Sequence, residues 1–241
     1  MARHAREYHL NTASQLAARE VTVAAGAIML QGLLRAPSSP AGIVLFAHGS
    51  GSSRRSPRNT QVANLLGRAG FATLLFDLLT ADEERIDSMT AELRFDIALL
   101  TGRLVAATQW VLGEPQLKEF AIGYFGASTG AAAALAAAAR VPDVAAVVSR
   151  GGRPDLAGAA LAGVRAATLL IVGGADREVL ALNRQALAQL RCEARLAIVP
   201  NATHLFEEHG ALEQVAALAA QWFARYLKPM AAARESTRDC D

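Results

Sequence analysis

The chain has 241 residues, of which 52% are hydrophobic and 19% are charged, and its formal net charge is +2. This hydrophobic fraction excludes a disordered chain, and the length suits one α/β domain with a large core. Basic and acidic residues are interspersed, so no basic block is available to neutralise a phosphate backbone, and we expect no nucleic-acid partner.

Short apolar runs, many of them β-branched, alternate with helical patterns along the chain. This alternation is typical of βαβ units and predicts an α/β fold with a mainly parallel sheet of about eight strands and helices on both faces. The first two strands are joined by a short link at Gly26, which predicts an antiparallel start to the sheet. The predicted strands are residues 20–23, 28–34, 42–47, 72–76, 119–125, 144–149, 167–172 and 195–199. The predicted helices lie near residues 58–68, 89–112, 129–139, 177–190 and 210–226.

The domain organisation follows from the positions of these elements. Residues 19–228 are predicted to form one α/β domain, with an N-terminal extension at residues 1–18 and a flexible tail at residues 229–241. Residues 77–119 have room for one loop and one long helix, and show no second zone of composition. We therefore expect no large lid domain and a fairly open active site.

Cysteine content and apolar stretches bear on localisation. Cys192 and Cys240 are too few for a disulfide framework and lack the spacing of a zinc site. The first twenty residues have no apolar core of the signal-peptide type, and the most apolar stretch, residues 130–148, is interrupted by charged residues and a proline. We expect a cytoplasmic protein without membrane association.

The strongest local signal is Gly126-Ala127-Ser128-Thr129-Gly130, which follows a predicted strand and opens an alanine-rich helix. G-x-S-x-G arises by chance in about one chain in ten of this length. At a sharp strand-to-helix turn, however, this sequence holds a serine hydroxyl above the sheet, and small residues are needed because strand and helix approach closely. Ser128 is therefore the candidate nucleophile, and a structural glycine-rich turn is the alternative.

A nucleophilic serine needs a base, usually a histidine that is oriented by a carboxylate. Asp176 follows the seventh predicted strand, and His204 follows the eighth. Because functional groups collect at the carboxyl ends of parallel strands, we expect both to meet Ser128 in one crevice. A helix N-cap for Asp176 and a surface loop position for His204 are the alternatives.

Other residues compete for these roles. His209 is the rival base, and Glu178 and Asp155 are the spare carboxylates, although Glu178 falls inside a predicted helix and Asp155 lies in another loop. His48 precedes a glycine-rich loop, where we expect it to hold the turn rather than to act in catalysis.

The order Ser128, Asp176, His204, together with His48-Gly49-Ser50-Gly51 after the third strand, resembles the α/β-hydrolase superfamily. Within it, the chain is similar to the small dienelactone hydrolase-like esterases over about residues 21–226. The resemblance implies an α/β-hydrolase fold and a serine hydrolase. Dienelactone hydrolases carry cysteine where Ser128 stands, so ester hydrolysis is expected but a dienelactone substrate is not implied.

In this fold two backbone N–H groups stabilise the oxyanion, one from the residue after the nucleophile and one from the loop after the third strand. The resemblance places these groups at Thr129 and at Ser50 or Gly51. The glycines of this loop could also cradle a phosphate, but the segment lacks the Gly-Lys-Ser/Thr ending of a P-loop. A nucleotide site is not expected.

The arginines near the predicted crevice have two interpretations. Arg54, Arg55 and Arg58 surround a predicted helix start, where positive charge opposes the helix dipole, and Arg150 and Arg153 follow the sixth strand. Arg54 or Arg150 could bind an anionic substrate group through paired, charge-assisted hydrogen bonds. Alternatively, these arginines pair with carboxylates and pin their loops.

The predicted function is hydrolysis of a small carboxylic ester through an acyl-Ser128 intermediate, without a metal or an organic cofactor. A thioesterase or an amidase would use the same residues, and a non-catalytic binding protein could keep the same fold. The expected partner is a small-molecule ester, and formation of a homodimer is left open.

Overall fold

The computed structural model describes residues 18–227, which form one sheet with helices on both faces. The strands are β1 (Arg19–Ala25), β2 (Ile28–Arg35), β3 (Ile43–Ala47), β4 (Ala72–Phe76), β5 (Ile122–Ala127), β6 (Val144–Arg150), β7 (Ala167–Gly173) and β8 (Ala194–Val199). The α-helices are α1 (Pro57–Arg68), α2 (Ala81–Thr90), α3 (Ile97–Gly113), α4 (Thr129–Ala138), α5 (Arg177–Gln189) and α6 (Ala211–Tyr226). Two 3₁₀ segments, Leu93–Phe95 and Pro154–Gly163, complete the secondary structure.

The sheet has the strand order β1-β2-β4-β3-β5-β6-β7-β8. The β1–β2 and β2–β4 pairs are antiparallel, and every pair from β4–β3 to β7–β8 is parallel. The predicted antiparallel start and mainly parallel sheet are confirmed. The carboxyl ends of β3, β5, β6, β7 and β8 lie along one edge, where the candidate residues are found.

The central strands are buried on both faces, as is typical of parallel sheets covered by helices. Side chains alternate between the two faces along a strand. In β3, for example, Ile43 and Leu45 pack into the core layer under α3 and α4, while Val44 and Phe46 pack into the layer under α1 and α6. The edge strand β1 instead alternates between exposed and buried residues.

The prediction of a single long helix at residues 89–112 is wrong. The segment holds α2, a 3₁₀ turn and α3, and α2 begins earlier than predicted, at Ala81. Thr80 forms a capping box with Glu83 at the start of α2, and Ala91, with φ of 57°, ends it in the left-handed region. Asp96 then caps α3 through the backbone N–H of Leu99, so two separate caps divide the segment.

The predicted N-terminal extension and C-terminal tail fall almost entirely outside residues 18–227. Between β4 and β5 the chain forms α2, α3 and the short 3₁₀ turn, so within the described residues no lid domain is inserted there. No helix in the described part of the chain has the length and apolar character needed to span a bilayer.

Candidate active site

Ser128 lies at the turn between β5 and α4, with φ of 51° and ψ of −121°. Non-glycine residues adopt such a positive φ only where the surrounding structure enforces it. A Cβ added to Gly126 would lie 2.5 Å from Cα of Ala131, and one added to Gly130 would lie 2.2 Å from the Ala47 carbonyl oxygen. The two glycines therefore allow the close approach that the sequence analysis predicted for this turn.

His204 and Asp176 are joined by a hydrogen bond of 2.7 Å between Nδ1 and Oδ2. The other carboxylate oxygen of Asp176 accepts a hydrogen bond of 3.4 Å from the backbone N–H of Val179, which makes Asp176 the N-cap of α5. The N-cap role and the contact with histidine, treated as alternatives in the sequence, are thus performed by the two oxygens of one carboxylate. The cap restricts the carboxylate and so orients the imidazole.

The loops that carry Asp176 and His204 are bound to each other through their backbones. Gly174 donates to the Val199 carbonyl at 2.8 Å, and Ala175 donates to the Ala202 carbonyl at 2.9 Å. Beyond His204, the buried Phe206 anchors the second loop in the core layer under α6. The distance between the two side chains is therefore set by backbone hydrogen bonds and core packing.

Ser128 and His204 line one pocket of about 230 Å³. Among the described residues, no hydrogen bond of 3.5 Å or less joins Ser128 to His204, and hydrogen bonds of this kind often tighten only when substrate is bound. The His204 side chain is 38% exposed, so its free edge is accessible from the pocket. The other residues lining the pocket are Gly49, Ser50, Ser52, Ser56, Arg58, Asn59, Ala127, Arg150 and Leu205.

The residues that competed with Asp176 and His204 for their roles do not line the Ser128 pocket. Asp155 forms a paired ion contact with Arg153 at 2.9 and 2.8 Å, and Glu178 is exposed in the first turn of α5. His209 is exposed and does not line the Ser128 pocket.

His48 is buried beside β3 and is held by two backbone contacts. Its Nδ1 lies 3.0 Å from the Gly49 carbonyl oxygen, and its Nε2 accepts a hydrogen bond of 3.0 Å from the backbone N–H of Leu78. Burial lowers the pKa of the imidazole, which favours the neutral ring that these contacts require. His48 thus joins the loop after β3 to the loop after β4.

The three predicted oxyanion-hole residues all line one small pocket next to the Ser128 pocket, and of the three only Ser50 lines both pockets. Thr129 is the first residue of α4, and its backbone N–H has no hydrogen-bond acceptor among residues 18–227. Ser50 lines the Ser128 pocket, and its hydroxyl lies 3.1 Å from that of Thr129. Gly51 lines two adjacent pockets rather than this one. Of the two loop positions, the geometry favours Ser50.

Most of the arginines near the crevice have carboxylate partners. Arg54 is paired with Asp77, and its backbone N–H also donates to Asp77 at 2.7 Å. This pair faces a separate pocket of about 690 Å³ between the loop after β3 and α2, so Arg54 does not line the Ser128 pocket. Arg58 is paired with Glu207 at 3.1 Å. Arg150 does line the Ser128 pocket, and no described carboxylate pairs with it.

Several pocket residues were not predicted from the sequence. Ser52, Ser56 and Asn59 come from the loop after β3 and the first turn of α1, and Leu205 follows the histidine. A signal for part of this set was present, because Ser56-Pro57 matches a helix N-cap followed by proline. Nothing in the sequence indicated that this helix start would lie against Ser128.

The dienelactone hydrolase family model matches residues 30–233. The chain belongs to the dienelactone hydrolase family. A dienelactone hydrolase from Anabaena variabilis, solved by crystallography, is 58% identical, with a TM-score of 0.87 over 89% of this chain and 100% of that one. The family resemblance and the α/β-hydrolase fold class predicted from the sequence are both confirmed.

One more distant structure and two longer relatives complete the comparison. The esterase domain of a Rhodothermus marinus protein is 20% identical, with a TM-score of 0.69 over 87% of this chain and 99% of that one, and shares the fold. Two Mycobacterium tuberculosis proteins, provisionally named phosphoribosyl transferases, are 58% identical over 210 residues. The match covers 86% of this chain but 46% of theirs, so the chain spans less than half the length of these relatives.

Proposed function

We propose that the protein hydrolyses a carboxylic ester through an acyl-Ser128 intermediate. The observation that carries the proposal is the hydrogen bond of 2.7 Å between Asp176 and His204. His204 lines the same pocket as Ser128, which lies at a strained turn. Membership of the dienelactone hydrolase family supports hydrolase activity. Ser128 is the nucleophile, His204 the general base and Asp176 the group that orients it.

In the first half of the reaction, Ser128 Oγ attacks the ester carbonyl carbon while its proton passes to His204 Nε2. The carbonyl π electrons move to oxygen, and the backbone N–H groups of Thr129 and Ser50 donate to this oxyanion. When the tetrahedral intermediate collapses, the bond between the carbonyl carbon and the alcohol oxygen breaks. His204 returns its proton to that oxygen, and the alcohol leaves.

In the second half, water attacks the acyl-Ser128 carbonyl and gives its proton to His204 Nε2. Collapse of the second intermediate breaks the bond between the carbonyl carbon and Ser128 Oγ, and His204 protonates the serine oxygen. The acid leaves and the free enzyme is restored. Asp176 accepts from Nδ1 throughout, which stabilises the imidazolium and keeps Nε2 directed toward the pocket.

The same residues could cleave a thioester or an amide, and only the rate with each substrate separates these possibilities. The name of the Mycobacterium tuberculosis relatives suggests phosphoribosyl transfer. The 210 residues shared with these relatives overlap the hydrolase family match at residues 30–233, and more than half of the relatives' length lies outside the match, so their name does not indicate the activity of this chain.

A covalent probe and one substitution test the nucleophile. A fluorophosphonate should add one adduct to the wild-type protein, mapped by peptide mass spectrometry to Ser128. Ser128→Ala should form no adduct and should lose on the order of a millionfold in kcat with 4-nitrophenyl acetate. Ser88→Ala, in the exposed helix α2, is the matched control and should keep both properties. Retention of more than a few per cent of activity by Ser128→Ala would exclude this nucleophile.

A further inference from the structure

The side chains of Ser50 and Thr129 contact each other beside the proposed oxyanion hole. Ser50 follows β3 and Thr129 begins α4, so these residues are 79 positions apart in the chain and only the fold brings them together. Their hydroxyl oxygens lie 3.1 Å apart, and within the described part of the chain neither hydroxyl has another hydrogen-bond partner. The proposed reaction uses the backbone N–H groups of the two residues and leaves this side-chain contact without a role.

The backbone donor at Thr129 is fixed by core packing. Thr129 is 3% exposed, and every residue of α4 is buried. The next residue, Gly130, is packed so closely against the end of β3 that an added Cβ would lie 2.2 Å from the Ala47 carbonyl oxygen. The start of α4 therefore has little room to shift, and the backbone N–H of Thr129 keeps its place.

The backbone donor at Ser50 has fewer constraints. Ser50 is exposed, it lies between Gly49 and Gly51, and its backbone N–H has no acceptor among residues 18–227. That N–H belongs to the same planar peptide group as the Gly49 carbonyl, which His48 Nδ1 contacts at 3.0 Å. His48 therefore holds one end of this peptide group. Beyond Ser50 the backbone continues through Gly51, where conformational freedom is greatest, so the Ser50 side chain is the contact that fixes the other end.

We propose that the Ser50–Thr129 hydroxyl pair is a positioning device for the oxyanion hole, which holds the Ser50 backbone N–H at the distance from the Thr129 N–H that the oxyanion requires. Two donors stabilise an oxyanion fully only when both lie about 3 Å from the same oxygen atom. The hydroxyl pair ties the loosely held donor to the fixed one, and neither hydroxyl contacts the substrate. The inference rests on the proposed function of Ser128, because these donors serve the oxyanion that its attack creates.

Single substitutions test the positioning role with 4-nitrophenyl acetate. Ser50→Ala and Thr129→Val each remove one hydroxyl and keep both backbone donors, and valine has nearly the shape of threonine. Each variant should lose about 3- to 15-fold in kcat, the rate equivalent of one neutral hydrogen bond. The value of kcat/KM should fall by the same factor and KM should change by less than about twofold, because the oxyanion forms only after the substrate has bound. Thr129→Ser, which keeps the hydroxyl, should stay within about twofold of the wild type.

A double substitution separates positioning from direct donation. If the pair acts as one unit, the variant that combines Ser50→Ala and Thr129→Val should lose no more than the larger single loss, because the second substitution removes nothing further. If Ser50 Oγ instead donated to the oxyanion itself, Ser50→Ala would lose roughly 100- to 1000-fold, while Thr129→Val would change kcat by less than about threefold. That result, or single losses that multiply in the double variant, would overturn the proposal.

Two control variants remove hydroxyls of the same kinds elsewhere. Ser53→Ala lies in the same loop as Ser50, where the Ser53 hydroxyl accepts from the Arg55 backbone N–H and does not line the Ser128 pocket. Thr73→Val, in β4, removes a buried hydroxyl that has no partner among residues 18–227. Both should keep kcat within about twofold of the wild type. Ser50→Ala and Thr129→Val should melt within about 4 °C of the wild type, which separates their loss of kcat from unfolding.

The fluorophosphonate adduct keeps this test distinct from that of the proposed function. A wild-type protein without an adduct at Ser128, or an active Ser128→Ala, contradicts the nucleophile and removes the oxyanion hole with it. An adduct at Ser128 together with wild-type kcat in both Ser50→Ala and Thr129→Val overturns the positioning role and leaves the hydrolase. If Thr129→Val does not fold, the smaller Thr129→Ala replaces it in the single and the double variant.

Discussion

The two sides of the crevice are positioned by different kinds of interaction. On the elbow side, defined here as the ends of β5, β7 and β8, the backbone places Ser128, Asp176 and His204. On the ion-pair side, defined as residues 77–96 after β4, side chains fix the chain through Arg54–Asp77, Arg94–Asp87 and Arg103–Glu83. The first side follows from the topology of a parallel sheet, and the second depends on individual partners.

This difference separates effects on chemistry from effects on stability. Ser128 and His204 line a pocket and contribute little to packing. The ion pairs instead join elements to one another: Arg103–Glu83 joins α2 to α3, and Arg94–Asp87 joins α2 to the 3₁₀ turn that follows it. We therefore expect substitutions on the elbow side to change rates, and substitutions on the ion-pair side to change the free energy of unfolding.

The largest effect is expected from histidine substitutions on the elbow side. His204→Ala removes the proposed base and should lower kcat on the order of a millionfold. His209→Ala, the matched control five residues further along, should stay within about twofold because His209 is exposed and outside the pocket. Both variants should melt close to the wild type, as measured by calorimetry. Equal activity losses in the two variants would contradict the assignment of the base.

The elbow side was predictable from the sequence because its signals are local. A buried apolar strand followed by G-x-S-x-G fixes the place of Ser128, and Asp176 and His204 follow two further strands whose ends must share an edge. Position in the sequence also favoured Asp176 over Asp155 and Glu178 as the carboxylate that contacts histidine, and the structure has this contact. Asp155, in contrast, pairs with Arg153. The closeness of these two residues in the sequence did not by itself indicate that they pair.

The ion-pair side was not predictable to the same degree, because its structure depends on contacts between residues distant in sequence. The capping box at Thr80 and Glu83 was a usable signal for α2. The sequence did not indicate which arginines have carboxylate partners, since Arg54 and Arg150 both lie near strand ends but only Arg54 has a carboxylate, Asp77, beside it. Packing of separate elements decides which cation is neutralised.

A smaller effect, on stability alone, is expected at Asp87. The carboxylate is buried and accepts from the backbone N–H and Nε of Arg94 at 2.9 and 2.7 Å. Burial alone would raise the pKa of Asp87, but the hydrogen bonds from Arg94 outweigh it and hold the pKa below its ordinary value of 3.8. Asp87→Asn should therefore lower the free energy of unfolding at pH 7 by about 1–3 kcal/mol.

The pH dependence sharpens this prediction. Because the folded-state pKa is depressed, the ionised carboxylate stabilises the fold fully above about pH 4, and this contribution is lost as the pH falls through the folded-state pKa. The stability gap between the wild type and Asp87→Asn should narrow in denaturant titrations below pH 4. Asp82→Asn is the control, since its exposed pair with Arg85 should contribute less than about 0.5 kcal/mol. A gap that does not depend on pH would show that charge is not its source.

The smallest effect is expected at Arg54, where the two sides of the crevice meet. Arg54→Gln removes the guanidinium from Asp77, but the backbone N–H of residue 54 still donates to that carboxylate. Unfolding should become easier by about 1 kcal/mol, or about 2–4 °C in the melting temperature of a domain of this size. The kcat/KM for 4-nitrophenyl acetate should change by less than about threefold, because Arg54 faces a different pocket from Ser128. A loss of kcat/KM of about tenfold or more in Arg54→Gln, without a lower melting temperature, would contradict the structural role assigned to Arg54.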